Sequence, residues 1–243
     1  MRDHELDIVD LGTKMGNATI EFLQFSKRHL DQQNNKPLPS YLTREEFNSI
    51  DIRKCVGYER AEGEKYRAQV EGRKMQFRIA DLATAGAIEE LPPAKVYLAW
   101  HFLEHVPNKD WSRKLVHASL SSSRWMSWFR LPSFQQDDAT GEGALREHGM
   151  RFTWTNWRGH PSHWLVEDCT AAITSWAMDN QDRPYHLSVR PAGYIRSMDD
   201  HRVVPIDTEI DVNKYQKKHG PKPLHVKLKQ PIVAEWEVIV RFK

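Results

Sequence analysis

Short apolar runs alternate with longer amphipathic stretches through the first half of the chain. Glu5 to Leu11 is an apolar-rich segment that stops at Gly12 and predicts a strand. Asn17 to Leu30 carries Ala18, Phe22, Phe25 and Leu30 at helical spacing. Asp31 to Ser40 is polar, with Pro37 and Pro39, and predicts a loop. Thr43 followed by Glu46 is a capping box that opens a short helix. Lys54 to Tyr58 predicts a second strand, Ala61 to Glu71 a helix, and Met75 to Ile79 a third strand leading to Asp81. Ala94 to Trp100 is nearly all apolar, as expected of a strand buried on both faces. A helix over Lys109 to Leu120 and a fifth strand over Arg124 to Leu131 follow. Pro132 to Leu165 has little periodicity, and Glu167 to Met178 is helical again. Tyr185 to Val189 and Ile232 to Phe242 predict late strands, joined by a polar stretch containing Gly220-Pro221-Lys222-Pro223.

Strand-helix alternation implies right-handed βαβ units and a parallel sheet. The late strands return without a full helix between them. The expected fold is therefore α/β: a Rossmann-like, open, mostly parallel sheet with helices on both faces and an antiparallel C-terminal edge hairpin, in which Ile232 to Phe242 is the edge partner. Residues 1–243 read as a single domain, with an insert at about 31–52 and a long loop at about 132–165.

Composition narrows the picture. The chain has 243 residues, 40% hydrophobic and 28% charged, which is ordinary for a globular domain with a real core. A net charge of +2 gives no global field for nucleic acid or membrane. The first residues, MRDHELD, place acids where a signal peptide needs an apolar core, and no apolar run reaches membrane-span length, so a cytoplasmic protein is expected. Cys55 and Cys169 are too few for a disulfide framework and read as buried thiols. Six of the nine tryptophans fall between Trp111 and Trp164.

In sheets of this kind, ligands sit beyond the carboxyl ends of the strands. The first strand ends Asp10-Leu11-Gly12-Thr13-Lys14-Met15-Gly16, whose glycines allow a tight turn and close backbone approach. The second ends at Glu59, placed to accept hydrogen bonds from a ribose diol. The third leads to Asp81-Leu82, an acid for an adenine amino group beside an apolar contact for its ring. The fourth ends at Trp100-His101, followed by Leu103-Glu104-His105-Val106.

This ordered set resembles the class I S-adenosylmethionine-dependent methyltransferases, in particular the group with a His-x-Leu-Glu-His run after the fourth strand. The resemblance spans roughly residues 5–131, and the terminal strand suits the family's edge hairpin. It implies S-adenosylmethionine as cofactor, with the methionine part at the glycine turn (Asp10, Gly12, Lys14, Gly16), ribose at Glu59, adenine at Asp81 and Leu82, and His101 at the fourth strand end. Two features depart from the family: Lys14 stands where a glycine is usual, able either to crowd the cofactor or to pair with its carboxylate, and the insert at 31–52 is atypical.

His101-x-x-Glu104-His105 also matches an inverted zinc-peptidase signature, H-x-x-E-H. That chemistry needs both histidines on one helix face, and Pro107 disfavours helix there, so no metal is expected. His105 is alternatively a general base, or a structural hydrogen-bonding group. The segment Arg151 to Trp164 follows the fifth strand. There Trp154, Trp157 and Arg158 would bind an acceptor, with His160 and His163 as further candidate bases, or the tryptophans would simply roof the core. The expected acceptor is a small molecule or glycan-like compound. A nucleic-acid acceptor is the alternative suggested by basic and aromatic residues from Lys109 to Trp164 and by the lysines from Lys214 to Lys229. A cofactor-binding protein without catalysis is the third reading, with Lys14 as its warning sign.

Overall fold

The computed structural model describes residues 5–32, 41–84, 86–132, 150–152, 162, 164–197, 203–205 and 227–243. Strands β1 (Leu6–Leu11), β2 (Cys55–Glu59), β3 (Gln76–Ile79), β4 (Ala94–Trp100) and β5 (Ser123–Pro132) pair in parallel. Together with β7 (Tyr185–Ser197) and β9 (Lys227–Phe242) they form a seven-stranded sheet of order β3-β2-β1-β4-β5-β9-β7. The last two strands run antiparallel. A second, two-stranded pair joins β6 (Met150–Phe152) to β8 (Val203–Pro205).

Alternation along each strand builds two cores. Ile8, Val96, Leu98, Met126, Trp128 and Ile239 face α1 (Asn17–Gln32) and α3 (Arg67–Gly72), meeting Phe22 and Val70. Val9, Leu11, Tyr97, Ala99, Phe129 and Val238 face α4 (Lys109–Ser122) and α5 (Val166–Asp179), meeting Leu115, Ile173 and Trp176. The period of two sends successive residues to opposite faces, so both faces of the central strands need helices. The predicted capping box forms at α2 (Arg44–Asn48): Thr43 Oγ1 accepts from Glu46 N–H, and Glu46 Oε2 accepts from Thr43 N–H. Cys55 and Cys169 are both buried and free, and burial pushes both thiols up.

The C-terminal strands form the expected antiparallel pair at one edge of the sheet, with β9 inserted between β5 and the outermost strand β7. Buried on both sides, Val238, Ile239 and Val240 suit an interior strand. The helix expected over Ala61 to Glu71 begins instead as a 3-10 turn over Ala61–Tyr66, because Gly63 N–H closes on Arg60 carbonyl as the chain leaves β2, and only then becomes α3. No helix among the described residues is long and apolar enough to cross a membrane.

Candidate active site

The turn after β1 is shaped by its neighbour β2. Gly12 N–H and Thr13 N–H both donate to Tyr58 carbonyl, at 3.0 and 3.1 Å. Gly12 adopts φ 71, and a Cβ there would overlap the Phe102 ring, so the position requires glycine on both counts. Gly57 in β2 serves the same turn from below, since a Cβ on it would overlap the Thr13 side chain. Thr13 Oγ1 donates to Asp10 Oδ2 at 3.0 Å, and Thr19 donates to the same oxygen through Oγ1 at 2.9 Å and N–H at 3.3 Å. Asp10 is thus a buried tie between the turn and the start of α1. Burial pushes its pKa up to about 6, against the lowering effect of the Thr19 and Thr13 bonds, with the nearby Glu59 charge adding a smaller push.

Glu59 stands at the end of β2 and grips the turn. Its Oε2 accepts from Lys14 N–H and its Oε1 from Arg60 N–H, both at 3.0 Å. A carboxylate has about four lone-pair positions, so capacity remains for hydroxyl donors. Past β3, Asp81 Oδ1 accepts from Ala83 N–H at 3.0 Å, and the neighbouring Leu82 is buried. Past β4, His101 takes a left-handed φ of 52. Its Nδ1 lies 3.4 Å from Glu104 and its Nε2 lies 3.3 Å from Glu235, on β9. Burial alone would lower the His101 pKa. The hydrogen bonds and charges of Glu104 and Glu235 outweigh it and raise the pKa to about 9, so this imidazole holds its proton at neutral pH.

These strand ends enclose one cleft of about 510 Å³, within the size range of small-molecule sites. Gly12, Lys14, Glu59, Asp81, Leu82, His101 and His105 all line it. Asp10 and Gly16 do not. Asp10 lies beneath the turn, and Gly16 closes it by donating its N–H to Thr13 carbonyl at 2.7 Å. Leu103–His105 forms a single 3-10 turn, so His101 and His105 do not share a helix face. Among the described residues no group of three His, Cys, Asp or Glu side chains is placed to hold a metal ion.

Trp154, Trp157, Arg158, His160 and His163 lie outside the described residues. The end of their segment is anchored at the cleft wall, however. Ser162 is buried, its Oγ donates to Leu103 carbonyl at 2.7 Å and its N–H to Glu104 carbonyl at 3.4 Å, and Trp164 is buried in the core beyond it. Sequence reasoning missed Phe102, which floors the glycine turn, and Glu235, which reaches His101 from a strand more than a hundred residues away. The alternation of β4 into Phe102 offered a signal for the first. Nothing local signals the second, because its partner is set by the insertion of β9.

No known family pattern and no curated protein matches the chain. Solved structures do. A candidate methyltransferase from Bacillus halodurans C-125 aligns over 99% of this chain and 94% of its own, with 11% identity and a TM-score of 0.50. The small RNA methyltransferase HEN1 aligns over 100% of this chain with 12% identity and a TM-score of 0.51, and the mitomycin 7-O-methyltransferase MmcR over 98% with 12% identity and a TM-score of 0.50. The chain spans 24% of the first of these two and 49% of the second, so it is about half the length, or less, of several structures it matches. At such identities the likeness is one of architecture: the chain has a Rossmann-like fold, which these solved methyltransferases share.

Proposed function

We propose that the cleft binds S-adenosylmethionine and that the protein transfers its methyl group to a small-molecule or glycan-like acceptor. One observation carries the reading: the glycine turn, Glu59 and the Asp81-Leu82 pair, which stand at or past the ends of three different strands, line a single cleft at the carboxyl edge of a Rossmann-like sheet. The residues present fit the cofactor. The space that a Gly12 side chain would take is kept narrow by Phe102, Glu59 has lone pairs left for a diol, and Leu82 offers an apolar surface beside the Asp81 carboxylate. Bound there, S-adenosylmethionine supplies a sulfonium-activated methyl group.

The chain's own residues orient and shield. Gly12 lets the backbone approach the ligand, Glu59 holds the turn and the ribose together, and Phe102, Val106 and Pro107 wall the cleft against water. An acceptor that must lose a proton needs a base. His105 lines the cleft and is our candidate, with His160 and His163 as alternatives. His101 is unsuited, because Glu104 and Glu235 keep it protonated. The acceptor would lie against the segment carrying Trp154, Trp157 and Arg158, which supplies rigid aromatics and a cation, and which Ser162 ties to the Leu103–His105 turn.

Isothermal calorimetry with S-adenosylmethionine and S-adenosylhomocysteine tests the cofactor reading. Binding in the micromolar range, about −8 kcal/mol, is expected for both. No heat or thermal-shift response to either compound, from folded protein, would end it.

A further inference from the structure

We infer that Lys14 recognises the carboxylate at the amino-acid end of the ligand, and that it thereby sets the preference of the cleft for S-adenosyl compounds that keep that end over truncated thioether nucleosides. This rests on the cofactor reading above and assigns the departure at the glycine turn a positive role.

The first observation is backbone strain. Lys14 adopts φ 45, a conformation that L residues other than Asn and Asp rarely hold outside special sites. Three non-glycine residues do so among those described: Lys14, Lys74 and His101. Two of the three, Lys14 and His101, line the cleft. A glycine would be relaxed at Lys14, so the lysine there carries a backbone cost at the cleft itself.

The second observation is how the residue is held. Glu59 accepts the Lys14 N–H at 3.0 Å, which fixes the backbone. The ammonium group itself has no ion pair among the described residues, and the side chain is exposed at the cleft. The acids of the lining accept from backbone N–H groups, Glu59 from two and Asp81 from one, and neither forms an ion pair with the Lys14 ammonium. The His101 ring nitrogens face Glu104 and Glu235. Lys14 and Arg60 are therefore the lining cations left for an anion on the ligand.

Topology separates these two. The sheet order β3-β2-β1-β4 puts Arg60 at the exit of β2, beside the nucleoside side of the cleft. Lys14 follows β1, the strand that lies between β2 and β4, and its N–H rests on Glu59. A nucleoside lying across Glu59 and Asp81 sends its sulfur-linked tail toward β1 and β4, where Lys14 stands. Of the charged groups on that tail, the carboxylate is the one that matches an ammonium.

The test compares S-adenosylhomocysteine with 5′-methylthioadenosine, which has the nucleoside and thioether but no amino-acid end. Both are titrated into the intact protein and into Lys14→Met, Lys14→Arg, Lys14→Gly and Arg60→Met. Lys14→Met should weaken S-adenosylhomocysteine roughly tenfold or more, the loss of a charge-assisted contact, and leave 5′-methylthioadenosine within about twofold. Lys14→Arg should retain most of the affinity, and Arg60→Met should leave the ratio between the two ligands unchanged. Lys14→Gly relieves the left-handed residue, so it should melt no lower than the parent while losing the same discrimination. Equal weakening of both ligands in Lys14→Met, or S-adenosylhomocysteine bound by Lys14→Gly as tightly as by the parent, would overturn the assignment. Failure of the parent protein to bind either ligand would instead bring down the cofactor reading itself.

Discussion

At β2 and β3 the acidic side chains of the cleft, Glu59 and Asp81, stand at or past the strand ends and hold backbone N–H groups, whereas across β5, β9 and β7 the charges sit within the strands and neutralise one another. Trp100, Arg130, Glu237 and Arg190 occupy cross-strand partner positions in one row of the sheet. Glu237 is buried. Its Oε1 accepts from Arg130 at 3.0 and 3.2 Å, and its Oε2 accepts from Arg190 at 2.8 Å. The Arg130 guanidinium also lies 3.9 Å from the centre of the Trp100 ring. The first region keeps polar capacity for a ligand. The second uses its capacity up in holding antiparallel strands together. The contrast separates what the protein needs in order to bind from what it needs in order to fold.

Glu237→Ala should have the largest effect on stability. It leaves two guanidinium groups without their shared carboxylate. Removing one member of a buried pair costs about 3–5 kcal/mol, and the partial exposure of Arg130 and Arg190 brings the expectation down to about 2–4 kcal/mol. Urea unfolding measures it. Below the transition, cofactor affinity should be unchanged, and a parallel loss of affinity would mean that the two regions are coupled.

Glu59→Ala is the converse. It should weaken S-adenosylmethionine by roughly 1.5–3 kcal/mol through loss of charged hydrogen bonds. Its effect on unfolding should be smaller than that of Glu237→Ala, since the N–H groups of Lys14 and Arg60 can turn to water. Calorimetry and urea unfolding on the same variant check both parts, and unchanged affinity would misplace the ribose site.

The smallest expected effect lies where the two regions touch. His101 joins the cleft to β9 through Glu235, whose own pKa is held down chiefly by its bond to His101. The His101 pKa is raised in the folded state, so its contribution to stability is fully present below the unfolded value near 6.5. It is lost as the pH rises through about 9. The side chain is 39% exposed, so solvent screening limits the effect to about 1 kcal/mol. Unfolding free energies from pH 6 to 10 should show this decline in the parent protein and not in His101→Gln. An identical profile in both would mean that the bridge contributes nothing.

The parts of the molecule that could be read from the sequence are those set by neighbours along the chain. Hydrophobic runs located the strands, and β4 spans Ala94–Trp100 as its apolar stretch predicts. Gly12, Glu59 and Asp81 were recognisable because each stands at or just past a strand end. What escaped depends on pairing at a distance. The slot between β5 and β7 that β9 fills has no local signature, and with it went the row centred on Glu237 and the reach of Glu235 to His101. Asp10 illustrates the limit on the smallest scale. Its place in the motif was visible, but its carboxylate is turned under the loop toward Thr13 and Thr19, a direction set by Gly57 making room for Thr13. The candidate acceptor side chains from Trp154 to His163 remain an expectation from the sequence, with Ser162 and Trp164 as their described anchors.

The grip of Glu59 on the Lys14 N–H has a kinetic meaning as well. It joins residues 45 positions apart, and Tyr58 holds Gly12 and Thr13 across a similar span. Closing such loops costs entropy before any contact repays it, so the turn takes its native shape only after β2 has docked beside β1. During synthesis the glycine turn emerges first and stays unformed until the chain beyond Glu59 is available. A ligand of this cleft thus meets a surface that exists late on the folding route, and its binding energy acts mainly as a brake on unfolding rather than as a template for folding.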